Sequence, residues 1–291
     1  MKKVLAFLKK IGEGIASAFR KLGARAMAGP YLVWSLLFIV APLIFVAYYS
    51  FTDKDGNFTF SNFSALMTAE YAEIFLRSAC FAFLATVICL VLAYPIAYYI
   101  AKTSPRTQKI LMVLIMLPMW MNFLIRTYSW MAILEDTGII NSFLGLFGIG
   151  PVHMINTAGA VILGMVYNFL PYMILPIYTS LSKLDPRLVE ASADLGCNPV
   201  KAMLHVILPL SRSGIISGIT MVFVPSVSTF YISQKLGGGN FDLIGDTIER
   251  QFQTAYDYNL GSAISFVLMI LILLSMTVMN KFGDEEGGMV V

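Results

Sequence analysis

The chain has 291 residues and a formal net charge of +3, and 58% of its residues are hydrophobic. Only 13% are charged, about half the share carried by a soluble domain of this size. That composition excludes a soluble globular fold. Apolar runs of about twenty residues recur, each long enough to cross a hydrocarbon core of about 30 Å as a helix. The expected class is an all-α integral membrane protein with six transmembrane helices.

Residues 1–29 read as a basic amphipathic helix. Leu5, Leu8, Ile15, Phe19 and Leu22 approximate one face, opposed by Lys9, Lys10, Arg20 and Lys21. Such a helix suits the headgroup region, in contact with lipid, as an anchor. The first apolar run, Tyr31–Phe51, is too long for the core of a cleaved signal. The remaining spans are expected over Ala79–Ala101, Ile110–Leu134, Thr157–Leu181, His205–Phe230 and Leu260–Asn280. They place a six-span unit over 30–282 and a short tail over 283–291. Two glycosylation sequons, at Asn57 and Asn62, are read as chance matches.

Orientation follows from Lys and Arg. The segments before span 1, between spans 2 and 3, between spans 4 and 5, and after span 6 hold about fourteen basic residues. The three alternate segments hold about four, namely Lys54, Arg77, Lys235 and Arg250. The positive-inside rule then puts both termini in the cytoplasm. Cys80 and Cys89 share span 2 while Cys197 lies on the cytoplasmic side, so no disulfide is expected. His153 and His205 fall on opposite sides of the membrane, and neither a metal site nor any cofactor is expected. Seven prolines within or at the ends of spans suggest a mobile bundle, because each frees a backbone carbonyl and favours a kink.

In the outer half of span 3, Trp120, Asn122, Arg126, Tyr128 and Trp130 interrupt the apolar run. Tyr128 and Trp130 fit either an interfacial belt or a binding role. Trp120 lies deeper, where a belt role fits less well. Aromatic faces hold ammonium groups by cation–π attraction, worth about 0.5–2 kcal/mol each. Arg126 reads as structural, paired with an outer carboxylate, because a central arginine costs about 2.5–3.5 kcal/mol on insertion scales. The outer connections are acidic: Glu135 and Asp136, then Asp242, Asp246 and Glu249 at i, i+4 and i+7, aligned if that stretch is helical. A solvated face, a docking site for basic residues, and a vestibule attracting cations all fit this pattern. The glycines at 237–239 lack the Lys and Ser/Thr of a phosphate loop, so the chain holds no nucleotide. No Asp or Glu lies deep in a span, which argues against ion coupling and for an energy source in a partner.

Residues 184–214 contrast with the oily remainder. Asp185 can cap a helix that starts at Pro186, and Gly196 can close it in a left-handed conformation. Asn198 and Pro199 repeat the start signal at once, giving helix, tight turn, helix, with a kink near Pro209. Small residues at Ala191 and Ser192 allow close approach of another surface, and Glu190 offers a fixed charge. The hairpin is built to be gripped.

EASADLG (190–196), then nine residues, then VILP (206–209), resembles the EAA motif of ABC-importer permeases. Ser192 stands for the second Ala and Val206 for Ile. LPMWMNFLIRTYSW (117–130), YNFLPYMILPIYTSLSKLD (167–185) and FYISQKLGGGNFDLIGDTIERQF (230–252) resemble the first permease subunit of spermidine/putrescine importers. The resemblance implies a type I (MetI-like) permease fold in the bacterial cytoplasmic membrane, with residues 183–210 as the coupling loop. It implies three partners: a cytoplasmic ATPase dimer, a second homologous permease, and an extracytoplasmic substrate-binding protein. Glu190, Ala191, Ser192, Asp194, Leu195 and Gly196 then carry the ATPase contact. The substrate path is expected along Trp120, Asn122, Tyr128, Trp130, Glu135, Asp136, Tyr231, Asp246 and Glu249. No catalysis by the chain itself and no nucleic-acid partner are expected. A permease for iron or sulfate, or a gradient-driven carrier, is the alternative.

Overall fold

The computed structural model describes residues 29–284. The amphipathic helix expected over 1–29 and most of the tail expected over 283–291 therefore lie outside the described residues. In chain order the helices are α1 (Gly29–Ser50), α2 (Ser61–Leu66), α3 (Ala69–Lys102), α4 (Pro105–Trp120), α5 (Phe123–Leu134), α6 (Ile139–Gly145) and α7 (Ala158–Leu181). They continue as α8 (Pro186–Asp194), α9 (Pro199–Leu210), α10 (Arg212–Ser228), α11 (Tyr231–Leu236), α12 (Ile244–Gln253) and α13 (Tyr258–Asp284).

Four of these, α1, α3, α7 and α13, contain stretches long and apolar enough to cross a membrane alone. The other two expected crossings are bent pairs. Pro105–Trp120 and Phe123–Gly145 meet at 89°, and α9 and α10 meet at 68°. The described residues thus hold four to six candidate spans; the continuous third span expected from hydropathy is corrected, while the bend expected near Pro209 is present as a 68° break. Hydropathy windows see composition, not the hydrogen-bond ladder. At the first break Met121 and Asn122 leave the helical region, and Asn122 Oδ1 accepts from the Leu124 N–H at 2.8 Å, capping the new helix. At the second, Ser211 (φ −95°, ψ 5°) follows Pro209, which lacks the N–H a continuous helix needs. The second span also starts earlier than expected, at Ala69, where an Arg77–Glu73 pair at i, i+4 supports the first turns.

The core is a three-helix contact of α7 against α3 and α10, with α3 and α10 also touching. Along α3 the residues with no exposure are Ala82, Ala85, Cys89, Ala93 and Ala97, spaced by three or four. That spacing puts a strip of small side chains on one face. Against it α7 presents Val161, Met165, Met173 and Ile177, all fully buried. From the other side Gly214 and Gly218 of α10 close on α7. A methyl at Gly214 would lie 2.6 Å from Ser180 Cβ and 2.7 Å from the Pro176 carbonyl. Small residues at helix contacts replace the hydrophobic drive that lipid removes. α1 packs on α13 and presents nearly all of its side chains outward.

At Gly214 the obstructing atoms are backbone and Cβ, whereas at Gly218 the nearest is the flexible Met173 sulfur at 2.6 Å. Gly214→Ala should therefore lower the unfolding temperature of the detergent-purified protein, by about 1–3 kcal/mol of overpacking cost. Gly218→Ala should cost distinctly less. Equal shifts in a thermal fluorescence assay would reject this account of the seam.

Candidate functional site

Two polar assemblies sit at opposite ends of α7. The hairpin follows its C-terminus. Asp185 accepts from the Arg187 N–H at 3.0 Å and starts α8. Gly196, at φ +80°, ends it, with the Cys197 N–H donating to the Ser192 carbonyl at 3.0 Å. Asn198 Oδ1 then accepts from the Lys201 N–H at 2.8 Å and starts α9. Every cap expected from the sequence is made. Glu190, Ala191, Asp194, Leu195 and Gly196 are exposed, and Leu195 reaches 86%. Leu188 and Val200 add exposed apolar surface on the same hairpin. Ser192 differs from the expectation: it is buried and donates to the Val189 carbonyl at 2.7 Å, so it faces its own chain. Glu190 also lines a cavity of ≈ 400 Å³ between the hairpin and the C-terminal end of α3, shared with Tyr98, Lys102 and Asp185.

At the other end, α11 packs against the N-terminal half of α7, where Ile232 and Leu236 close over Gly164. There Tyr231 meets Tyr128 edge-on at 6.2 Å and Phe123 at 5.9 Å. Trp130 packs on Tyr167 at 5.3 Å. The break at 121–122 separates Trp120 from this group. It lies 77% exposed at the end of α4 and makes no ring contact among the described residues. Asn122 is committed to capping α5.

The acidic residues do not form one free face. α12 begins only at Ile244, so Asp242 lies before it and pairs with Arg250 at 2.7 Å. Glu249 accepts from Gln234 Nε2 at 3.1 Å. Asp246 is buried, with Oδ2 accepting from the Leu243 N–H at 2.9 Å and Oδ1 without a partner. Burial pushes its carboxyl up to about 6, against the opposing pull of the nearby Ser233 hydroxyl and the Leu243 N–H. Asp136 faces His153 Nδ1 at 3.0 Å, and Glu135 stays exposed.

Arg126 overturns its expected ion pair. It is 8% exposed, with its guanidinium 5.9 Å from the Phe123 ring, and Nε and Nη1 have no hydrogen-bond partner. Tyr167, Phe123 and Lys235 belong to the aromatic group without having been singled out. Tyr167 and Phe123 follow from no local pattern, since their partners are distant in sequence. Lys235 was legible, because it stands four residues after Tyr231 on a helix. Between α7 and α10 a furrow of ≈ 520 Å³ runs past Thr179, Ser180, Lys183, Ser213 and Ser217.

Comparison with known proteins fits this architecture. Residues 93–284 match the family described as binding-protein-dependent transport system inner membrane component. The chain is 39% identical over 249 residues to the spermidine/putrescine transport system permease protein PotB of Haemophilus influenzae, covering 83% of this chain and 87% of that protein. To PotB of Escherichia coli it is 37% identical over 253 residues, covering 84% and 92%. In structure it resembles a chain of a bacterial ABC transporter that imports the acidic polysaccharide alginate. The TM-score is 0.78 at 16% identity, covering 95% of this chain and 99% of that one. The likeness shows a shared MetI-like permease fold. A permease of this kind is not itself an enzyme, the ATPase being a separate subunit. The chain belongs to the family of inner-membrane permease components of binding-protein-dependent, ABC-type transport systems.

Proposed function

We propose that this chain is one of two homologous permeases of a polyamine importer, with spermidine and putrescine as cargo. Identity of 39% to a permease named for those two solutes, over 83% of the chain, carries that reading. In it each bent pair counts as one crossing, giving six. Both termini and the hairpin face the cytoplasm, and the aromatic group faces outward. The exposed apolar knob of Leu195 beside Ala191 and Glu190 seats in a cytoplasmic ATPase dimer. An extracytoplasmic binding protein delivers cargo to the opposite end. The alginate transporter has been solved with such a protein bound.

The chemistry at the outer end suits a polycation. Tyr128, Tyr231 and Trp130 offer ring faces for ammonium groups. Glu135, Asp136 and Glu249 supply negative potential around them. Cargo then passes along the furrow between α7 and α10 and a matching face of the second permease. The chain does no bond chemistry; the partner's ATP cycle moves the hairpin.

The direct test is reconstitution of this chain with its ATPase, second permease and binding protein in liposomes. ATP-dependent uptake of labelled spermidine should be inhibited by excess putrescine and not by ferric iron. Uptake of iron, unaffected by polyamines, would overturn the cargo assignment.

The hairpin gives a second test. Gly196→Asp forces a side chain into a left-handed backbone that disfavours it, and Glu190→Lys reverses the exposed charge. Each should reduce uptake by about tenfold or more, a loss of about 1.4 kcal/mol in coupling, with membrane levels unchanged. Normal uptake by both variants would remove the hairpin from coupling.

Asp246 predicts a pH dependence. Its carboxyl titrates higher in the fold than the ordinary value of 3.8. The neutral form is therefore favoured by folding, and stability falls as pH rises from about 4 through about 6. Asp246→Asn keeps an acceptor for the Leu243 N–H and removes the buried charge. It should stabilise the purified protein at pH 7.5 by about 1–3 kcal/mol. The difference from wild type should vanish by pH 4. A difference independent of pH would show that the carboxyl is ionised in the fold throughout.

A further inference from the structure

We propose that Lys235 is a tethered competitor that occupies the ammonium site of the outer aromatic pair and sets its selectivity for polycations. The inference rests on the polyamine reading above and assigns a role to a residue outside the expected substrate path.

The Lys235 Nζ lies 5.7 Å from the Tyr128 ring centroid and 5.6 Å from that of Tyr231, beside the Tyr128 hydroxyl. The two rings meet edge-on at 86°, so the ammonium stands in the corner where the two phenols come together. A lysine beside a tyrosine four residues earlier is ordinary helix packing. Here the second wall comes from α5, a different helix beyond α6 and α7 in sequence, so the corner is tertiary. Tyr128 remains 44% exposed, which leaves the corner open to an arriving ligand.

Arg126 also stands over a ring, that of Phe123, whereas three other cations are held by carboxylates. Lys54 pairs with Asp257 at 3.4 Å, Arg77 with Glu73, and Arg250 with Asp242 at 2.7 Å. No carboxylate lies within 4 Å of Lys235 among the described residues. Its ammonium is held by the two phenols, ring and Tyr128 hydroxyl together. Rings attract alkylammonium groups without a covalent or charge-pair preference for one owner. The lysine side chain is a primary ammonium on four methylenes, the same group that ends putrescine. The corner that holds one fits the other.

Two ammonium groups cannot share the corner, because like charges at that distance repel. A tethered group also acts at an effective concentration in the millimolar range or above. A free monoamine therefore competes poorly. A polyamine displaces Lys235 because a further ammonium gains Glu249, which accepts from Gln234 next to Lys235, at the same time. The lysine thus converts a general ammonium corner into one that answers to multiply charged chains.

The test uses the fully assembled transporter in liposomes with saturating binding protein. Lys235→Gln should lower the apparent KM for spermidine about threefold to tenfold. It should also make n-butylammonium an inhibitor of spermidine uptake, which it scarcely is for wild type. Lys235→Arg should keep the wild-type KM and resistance. Adding Tyr231→Leu to Lys235→Gln should abolish both gains. Assembly of every variant is checked by size-exclusion chromatography, so a folding defect is seen directly. An unchanged or raised KM in assembled Lys235→Gln overturns the proposal, as does a gain that survives Tyr231→Leu. Failure of the wild-type transporter to take up spermidine would instead reject the polyamine reading, since the Lys235 comparison begins only from working uptake.

Discussion

The close approach of α7 to α3 and α10 is the constraint on which everything else in this chain depends. In lipid there is no gain from hiding apolar surface, so helices associate through dense packing and buried hydrogen bonds. The alanine strip of α3 and the glycines of α10 supply the packing. The buried Cys89 thiol, 3.7 Å from the Val166 carbonyl, and Tyr178, 3.0 Å from Gln108, add polar contacts between helices. Because α7 is fixed on two sides, its ends become fixed points. The hairpin hangs from one, and α11 closes over the other.

Local signals were legible wherever a few adjacent residues decide the outcome. Asp185, Gly196 and Asn198 each act on backbone within three residues, and all three perform as their chemistry dictates. Long apolar runs announced the membrane class. The break in span 5 is signalled by Pro209, whereas the sharper one in span 3 is not read from Pro118. A proline removes one hydrogen bond; whether the helix bends slightly or turns by 89° depends on what neighbouring helices leave room for. Trp120 shows the consequence. It stands at the end of α4, where the straight rod stops, apart from Tyr128 and Trp130.

The charged residues separate along the same line. Asp242, Asp246 and Glu249 have helical spacing, yet their environments diverge because α12 starts after the first of them. Asp242 is neutralised by Arg250, Asp246 is turned inward to cap its own helix, and only Glu249 keeps a polar outlook through Gln234. Spacing fixes direction relative to a helix axis, not relative to the rest of the protein. Arg126 makes the converse point. A carboxylate is the expected partner of a buried cation, but Arg126 stands over the face of Phe123 instead. For Arg126 and Lys235 a ring stands where a carboxylate holds Lys54, Arg77 and Arg250.

The two ends are joined through Ser211. It sits at the 68° bend between α9 and α10, is fully buried, and its hydroxyl lies 2.9 Å from the Tyr94 hydroxyl of α3. The hairpin continues directly into α9, so any displacement of the hairpin reaches this bend first. α10 beyond it is clamped on α7 through Gly214 and Gly218, and cannot slide without opening that seam. The bend is therefore the place where α9 leaves the packed core that α10, α7 and α3 share. α7 in turn carries α11 on its N-terminal half, and with it Tyr231 and the corner at Tyr128. The seam that holds the fold in lipid therefore also links the helix leaving the hairpin to the helix that carries α11.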